Sequence, residues 1–386
     1  MSMPPESEMF EPRHYEAVRR PLLDAETLPP WCYTSERFYA REVERIFRKV
    51  WNFLGAADQI PNPGDYFTLN FAGIPLIVLR DAAGQPRAFA NSCRHRGSEL
   101  LSGRGNCKLI VCPYHSWSYA LDGRLKAAPE MQKTRGFDAA SYGLVPLRLE
   151  TWGGFLFVTF AAEAPQLLSF LGELPEKVAP YRLEEMACAR RREFVMECNW
   201  KLFVENAKES YHIATVHRAT INRYASVRMA GYWVEEAKGE YVVTFAQHDG
   251  SMALLKGDKG FPTNESLEGR REAGGTTAPL IYPSTYLACT IDCAWYLELH
   301  PLGPARTRLI HGALFPKSRL ARADFAALAA NYYKRWDITI EEDIVASERQ
   351  QRGLSSPLAL PGRFAHREPL VHEIDNWVLD RVLDRR

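Results

Sequence analysis

The stretch from Cys93 to His115, CRHRGSELLSGRGNCKLIVCPYH, constrains this chain more than any other. It opens on Cys-x-His and closes on Cys-x-x-His, so its two ends bring two thiols and two imidazoles within one short span. In an extended segment residues i and i+2 share a face, which lets Cys93 and His95 reach one site. Cys112 and His115, across a turn holding Pro113 and Tyr114, form a matching second arm. Two such arms suit two kinds of metal centre. A zinc ion would take all four groups at tetrahedral geometry. A two-iron, two-sulfide cluster would sort them by type, both cysteines on one iron and both histidines on the other. Zinc fingers usually place Cys with Cys on an arm, and a mixed arm used twice is atypical of them.

The surroundings of this stretch are β-rich. DYFTLNF, PLIVLRD, RAFANSC and GGFLFVTF are short segments separated by turn sequences such as DAAGQP, which predicts a compact, mostly antiparallel β domain. Ahead of it, YTSERFYAREVERIFRKVW spaces its apolar residues by threes and fours after a Thr-Ser start and reads as one amphipathic helix. After about Ala161 the texture changes. QLLSFLGELPEKVAPY reads as helical, RRREFVMECNW as a strand and KLFVENAKESYHIATVH as a helix, followed by a second β-rich stretch ending in RTRLIHGALFP. SMALLKGDKGFPTNESLEGRREAGGTTA, between them, is long and aperiodic, the signature of a lid, a binding loop or disorder. From about Ala321 the chain turns helical again.

A second constellation lies in NWKLFVENAKESYHIATVH. On a helix Asn206, Glu209 and His212, three residues apart, lie roughly on one side. His217 falls about 140° around from His212, so both rings face one metal only where the helix ends or opens into a wide turn. Two histidines and one carboxylate on an iron leave positions free for oxygen and substrate. The distal helix WDITIEEDIVASERQQRG offers the acid: Trp336, Ile340, Ile344 and Ser347 form one face, with Asp343 at its edge and Glu341 and Glu342 turned toward water. A buried carboxylate needs a partner, and a metal is one. A helix with two surface histidines and a solvated acidic run fit the same spacings.

CRHRG and CPYHSW closely resemble the Rieske motif. The whole chain, from PPWCYTSERFY through IPNPGDY to the last helix, resembles the catalytic α subunit of the Rieske non-haem iron oxygenases. NWK, EN, E-x-YH and H-x4-H are similar to the mononuclear-iron signature of that family, and ED-x4-E-x-x-Q-x-GL to its carboxylate helix. The resemblance implies a [2Fe-2S] cluster held by Cys93 and Cys112 on one iron and His95 and His115 on the other. It implies a mononuclear Fe(II) held by His212, His217 and Asp343, with Glu209 and Asn206 as catalytic residues. Glu209 corresponds to the acid that links one subunit's iron to the Rieske histidines of its neighbour. Asp is common there among ring-hydroxylating dioxygenases, whereas Glu is typical of the carnitine- and choline-monooxygenase-like branch. The implied fold is α+β: an N-terminal helical segment, 1–46, packing on the catalytic domain; an antiparallel β Rieske domain, 47–160; and a catalytic domain, 161–386, with a central antiparallel sheet flanked by helices.

No G-x-G-x-x-G fingerprint follows a strand, so a separate NAD(P)H-dependent reductase, directly or through a ferredoxin, is expected to supply electrons. The inter-subunit route implies a homotrimer. The reaction expected is hydroxylation by O2 of a small organic molecule. Tyr286 and Trp295, with Tyr282 and Tyr296 nearby, can stack on an arene or cage a trimethylammonium group. Arg218 and Arg223 can clamp a carboxylate. ESYH departs from the ECYH form common among quaternary-ammonium oxygenases, which points first to an aromatic or carboxylate-bearing substrate. The alternative is oxidative N-demethylation or C–N cleavage of a methylated or quaternary amine. A non-enzymatic electron carrier is a third reading, and the second iron site opposes it.

Composition narrows the partners. A formal net charge of +1 gives no electrostatic reason to expect nucleic acid or an anionic membrane. No apolar run approaches the roughly 18 to 20 residues of a membrane helix, and MSMPPESEMFEPRHYE lacks the regions of a secretory signal, so a cytoplasmic protein is expected. Disulfides are therefore not expected, and Cys32, Cys107, Cys188, Cys198, Cys289 and Cys293 read as small buried hydrophobes.

Overall fold

DYFTLNF and PLIVLRD pair as a hairpin, with Tyr66 opposite Leu79 and Phe71 opposite Ile74. Ala72 and Gly73 between them have φ of +49° and +82°, the left-handed geometry a two-residue type I′ turn requires. The computed structural model describes residues 4–221 and 231–383 and divides the chain into two units: Val50–Leu167, and Met1–Lys49 with Leu168–Arg386.

In the first unit the hairpin strands Asp65–Phe71 (β2) and Ile74–Arg80 (β3) follow Asn52–Ala56 (β1) and precede Pro86–Ala90 (β4) and Arg104–Asn106 (β5). Ile110–Val111 (β6), Ser118–Tyr119 (β7), Leu125–Ala127 (β8), Pro146–Trp152 (β9) and Phe155–Thr159 (β10) complete the unit. Seven strands form one antiparallel sheet in the order β1-β10-β9-β4-β3-β2-β5, and β6-β7-β8 form a small second one. Ile77, Leu79, Phe89, Ile110, Trp117 and Tyr119 pack into one core that also contains Cys93 and Cys112.

The second unit is built on the strands Met186–Met196 (β11), Gly231–Glu235 (β12), Tyr241–Gln247 (β13), Gly275–Ile281 (β14), Thr285–Cys289 (β15), Ala294–Gly303 (β16) and Arg306–Pro316 (β17). They form another seven-stranded antiparallel sheet, in the order β11-β17-β16-β15-β14-β13-β12. Tyr286 pairs with Leu297 and Ala288 with Trp295, and cross-strand partners share a face. Across that face lies the helix Phe325–Leu354, whose Tyr332, Arg335, Trp336, Thr339 and Ile340 are buried. Trp336 sits 4.8 Å from the His311 ring and 5.6 Å from the Trp295 ring. The architecture is α+β, as expected. Among the described residues no helix is long and apolar enough to cross a membrane.

Two expected elements differ. The single helix read through Trp31–Trp51 is instead Trp31–Thr34, Glu36–Glu42 and a π turn at Val43–Phe47. Ser35 leaves helical geometry so that its hydroxyl can cap the Phe38 N–H, which breaks the run. The aperiodic 251–278 segment is anchored: the Phe261 N–H donates to Tyr332 Oη at 2.8 Å, and Leu267 is buried.

A buried ion pair ties the N-terminal segment to the sheet unit. Lys201 Nζ donates to Glu42 Oε1 at 2.5 Å and to Asn199 Oδ1 at 2.9 Å, and Trp200 Nε1 donates to Glu42 Oε2 at 3.1 Å. Both charged side chains are fully enclosed. Removing one partner strands the other charge, at a cost of about 3–5 kcal/mol. Glu42→Leu or Lys201→Met should each lower the unfolding midpoint sharply in thermal or denaturant melts. The double variant should recover most of that loss, since the penalty belongs to the stranded charge.

Candidate functional site

The two arms of the Cys/His stretch fold by one rule. Cys93 N–H donates to Ser98 O and Gly97 N–H to Cys93 O; Cys112 N–H donates to Trp117 O and Ser116 N–H to Cys112 O. Each cysteine therefore heads a loop closed at positions i+4 and i+5. The i+4 residue has positive φ in both, +75° at Gly97 and +60° at Ser116, and for a serine that geometry is strained. Cys93 and Cys112 are buried, whereas His95 and His115 stand half-exposed with their Nδ1 atoms 3.2 Å apart. Trp117 stacks on His95 at 4.9 Å. Burial pushes the Cys112 thiol pKa up, but N–H groups of Tyr114 and His115, with Cys93 and Ser98, bring it below its ordinary value. The same contacts stabilise the thiolate, the form that ligates iron, relative to that of a free cysteine.

Among the described residues, the one group of three or more metal-binding side chains converging on a single point is His212, His217 and Asp343. The Cys/His stretch instead presents a cysteine pair and a histidine pair. That is the donor set of a binuclear cluster with one ligand type per iron, not of a single zinc ion.

The helix read through 201–217 is broken, which resolves the 140° mismatch between the two histidines. One helix, Trp200–Asn206, starts at Asn199, whose side chain caps the Lys201 N–H; a second, Ile213–Val216, is flanked by His212 and His217. In the gap Glu209 accepts the backbone N–H groups of Tyr211 and His212. Its other oxygen accepts His212 Nδ1–H at 2.5 Å. Glu342 does the same for His217, accepting Nδ1–H at 2.7 Å and the Thr220 hydroxyl at 2.7 Å. Both imidazoles are thus protonated at Nδ1, and their Nε2 lone pairs face Asp343 Oδ1 at 3.6 Å and 3.0 Å. That oxygen is buried with no hydrogen-bond partner. Two imidazole nitrogens and a carboxylate oxygen converging on one point fit a bound cation, and two histidines with one carboxylate suit iron.

A cavity of about 170 Å³ opens on these three side chains, lined among others by Asn206, Glu209, Tyr286, Trp295, Arg335 and Trp336. A second, of about 230 Å³, lies against the same Asn206, Glu209 and His212 and is lined further by Glu205, Glu368 and Asp375. Tyr286 and Trp295 line the first cavity. Arg218 does not: it is exposed and absent from the lining. Arg223 lies outside the described residues. Tyr282 stacks on Trp377 at 4.4 Å and Tyr296 packs over Gly312, so both serve the core. Glu342 corrects an expectation, since its side chain is 24% exposed against 57% for Glu341 and it grips His217 rather than water. Of the six other cysteines, Cys32, Cys198, Cys289 and Cys293 are buried, while Cys107 and Cys188 are half-exposed.

Residues 50–143 match the Rieske [2Fe-2S] domain, and residues 183–384 match the ring hydroxylating alpha subunit (catalytic domain). The chain belongs to the Rieske non-haem iron oxygenases. It is 30% identical to the glycine betaine monooxygenase oxygenase subunit of Chromohalobacter salexigens, over 93% of this chain and 86% of that one. It is also 30% identical to the chloroplastic choline monooxygenase of Spinacia oleracea, over 93% and 79%. In fold it is similar to the quaternary ammonium Rieske monooxygenase CntA solved with L-carnitine, with a TM-score of 0.79, 24% identity and 99% coverage of each chain. Naphthalene 1,2-dioxygenase from Rhodococcus sp. gives 0.80 at 18% identity and 99% coverage of each chain. This oxygenase accordingly carries a [2Fe-2S] cluster and a mononuclear iron.

The carboxylates behind the histidines yield a prediction that needs no turnover. Losing such a partner costs about 10–100-fold in metal affinity. Glu342→Gln should weaken iron binding by that factor in a chelator competition while leaving the visible spectrum of the cluster unchanged.

Proposed function

We propose that this chain is the oxygenase component of a monooxygenase acting on an N-methyl group of a quaternary or methylated amine. A separate NAD(P)H-dependent reductase, with or without a ferredoxin, supplies its electrons, and the chain works as a cytoplasmic homotrimer. Residues 47–160 take in the electrons through Cys93, His95, Cys112 and His115. Residues 161–386, with the segment 1–46, hold iron through His212, His217 and Asp343.

The observation that carries the substrate reading is the wall of the cavity beside the three ligands. Tyr286, Trp295 and Trp336 line it, and aromatic rings hold a trialkylammonium group without the desolvation cost of a carboxylate partner. Two further points agree with it. Glu209 is the form typical of the quaternary-amine branch, and the relatives at 30% identity are named glycine betaine and choline monooxygenases. Between the two substrate readings raised by the sequence, this favours the methylated amine over the arene.

In the proposed reaction one methyl C–H becomes C–OH. O2, two electrons and two protons are consumed; one oxygen atom enters the methyl group and the other leaves as water. From a quaternary substrate the resulting N-hydroxymethyl ammonium expels formaldehyde and a proton, leaving a tertiary amine; from a neutral methylamine the carbinolamine expels formaldehyde alone, its hydroxyl proton passing to nitrogen. Fe(II), when bound, supplies oxygen activation, and the cluster supplies single electrons. Glu209 and Glu342 fix the two imidazoles with Nε2 turned inward. Asn206 and Glu209 close the cavity on the side of the second, acid-lined cavity.

With a surrogate reductase, N-methyl substrates should give formaldehyde in step with oxygen uptake. A hydroxylated arene formed in place of formaldehyde would overturn the substrate reading. With Fe(II) supplied in excess to offset the weaker binding expected when the partner of His212 is lost, Glu209→Gln should retain cluster colour yet lose coupling between cluster reduction and product formation, seen as a reduced cluster that is not reoxidised in the presence of substrate and O2. Normal product formation by that variant would remove Glu209 from the electron route.

A further inference from the structure

We propose that Arg335 forms a carboxylate subsite in the cavity beside the iron ligands, so that the substrate is a betaine-type zwitterion and not a simple quaternary cation. The inference rests on the N-methyl reading above and narrows it.

Arg335 lines the cavity shared with His212, His217 and Asp343. It is 9% exposed. Among the described residues its guanidinium makes one hydrogen bond, to Thr339 Oγ1 at 3.3 Å, and rests over the Trp295 ring at 5.5 Å. The other buried arginine among the described residues is better matched: Arg319 donates to the carbonyls of Asp292 and Pro262. A buried cation with five donors and one weak bond has capacity left for an anion.

The protein's own nearby carboxylates are committed elsewhere. Asp343 faces the Nε2 atoms of His212 and His217, and Glu342 is held by His217 and Thr220. The missing anion therefore comes with the ligand, and a planar guanidinium suits a carboxylate, which it can bind through two parallel N–H groups.

Placement on the helix sets the length of that ligand. The bond to Thr339 draws the guanidinium one turn toward Asp343, leaving about 6 Å of helix rise between the two levels. A carboxylate seated on Arg335 thus leaves room for a short spacer and an ammonium group, with a methyl turned toward the iron ligands. Tyr286, Trp295 and Trp336 flank the same space. A cation lacking the carboxylate, such as choline, would meet a charge of its own sign there.

The test compares glycine betaine with choline on the fully loaded oxygenase with a surrogate reductase, and measures binding of each by calorimetry without turnover. Wild type should favour glycine betaine by about 100-fold, the range measured for a buried charge pair. Arg335→Gln should remove most of that preference, chiefly through KM, and improve choline relative to glycine betaine; Arg335→Lys should restore part of it. Equal handling of both compounds by wild type overturns the subsite, as does an Arg335→Gln variant that weakens both alike. If no N-methyl compound yields formaldehyde, the demethylation reading fails, and binding decides the subsite separately. Benzoate bound by wild type and lost in Arg335→Gln would uphold it; no carboxylate-dependent binding would overturn it.

Discussion

Everything at the iron site depends on where two protons sit. Glu209 and Glu342 each accept an Nδ1–H, from His212 and His217 respectively. That fixes both tautomers and leaves both Nε2 lone pairs facing Asp343. Exchange either carboxylate for a group that donates, and a ring can flip or present a proton where a metal lone pair is required. The rest of the catalytic unit can be understood as the means of keeping these five side chains in register.

The register is set some distance away. Asn199 caps the helix that ends at Asn206, and its own backbone N–H donates to Gln351 Oε1 at 2.8 Å. Gln351 Nε2 also donates to the Tyr33 carbonyl at 3.2 Å, which ties in the N-terminal segment. Gln351 and Asp343 share the helix Phe325–Leu354, about 12 Å apart along its axis. A single rigid element therefore measures the separation between the start of the histidine segment and the carboxylate that faces both imidazoles. The buried Lys201–Glu42 pair fixes the same helix start against the N-terminal segment from the other side.

The sequence was most legible where ligands are local. Cys93, His95, Cys112 and His115 lie on two short loops whose closure depends only on neighbouring backbone groups, so spacing alone restricts the chemistry. Asp343 was reachable from helical periodicity because one helix has one buried face. Periodicity failed for Glu342 because the His217 ring spans two adjacent helix positions, with Nε2 facing Asp343 and Nδ1 facing Glu342. Neighbourhood in sequence misled at Arg218, which follows His217 but turns to solvent. Arg335 was hidden for the opposite reason: it is far from the histidines in sequence, and an arginine beside a tryptophan on a helix gives no signal until the sheet beneath it is known. The breaks at Ser35 and after Asn206 share a further cause, since a side chain that caps backbone N–H groups ends a helix whatever its apolar spacing.

The charges around the cavity bear on what it can admit. Counted together, the two positive charges of a bound Fe(II) and the one on Arg335 balance Asp343, Glu209 and Glu342, but these carboxylates are engaged at the two histidines and none hydrogen-bonds Arg335. A zwitterion entering this space leaves the match intact, and its ends find separate partners, a guanidinium for the carboxylate and aromatic rings for the ammonium. A lone cation would add a charge with no counterion in a largely buried cavity, where desolvation is not recovered. A lone carboxylate would satisfy Arg335 but leave the aromatic wall to an apolar body, which is the arrangement an aryl acid would adopt. The distinction between these ligands therefore rests on Arg335 together with the rings that face it, and not on the iron ligands, which serve all three alike.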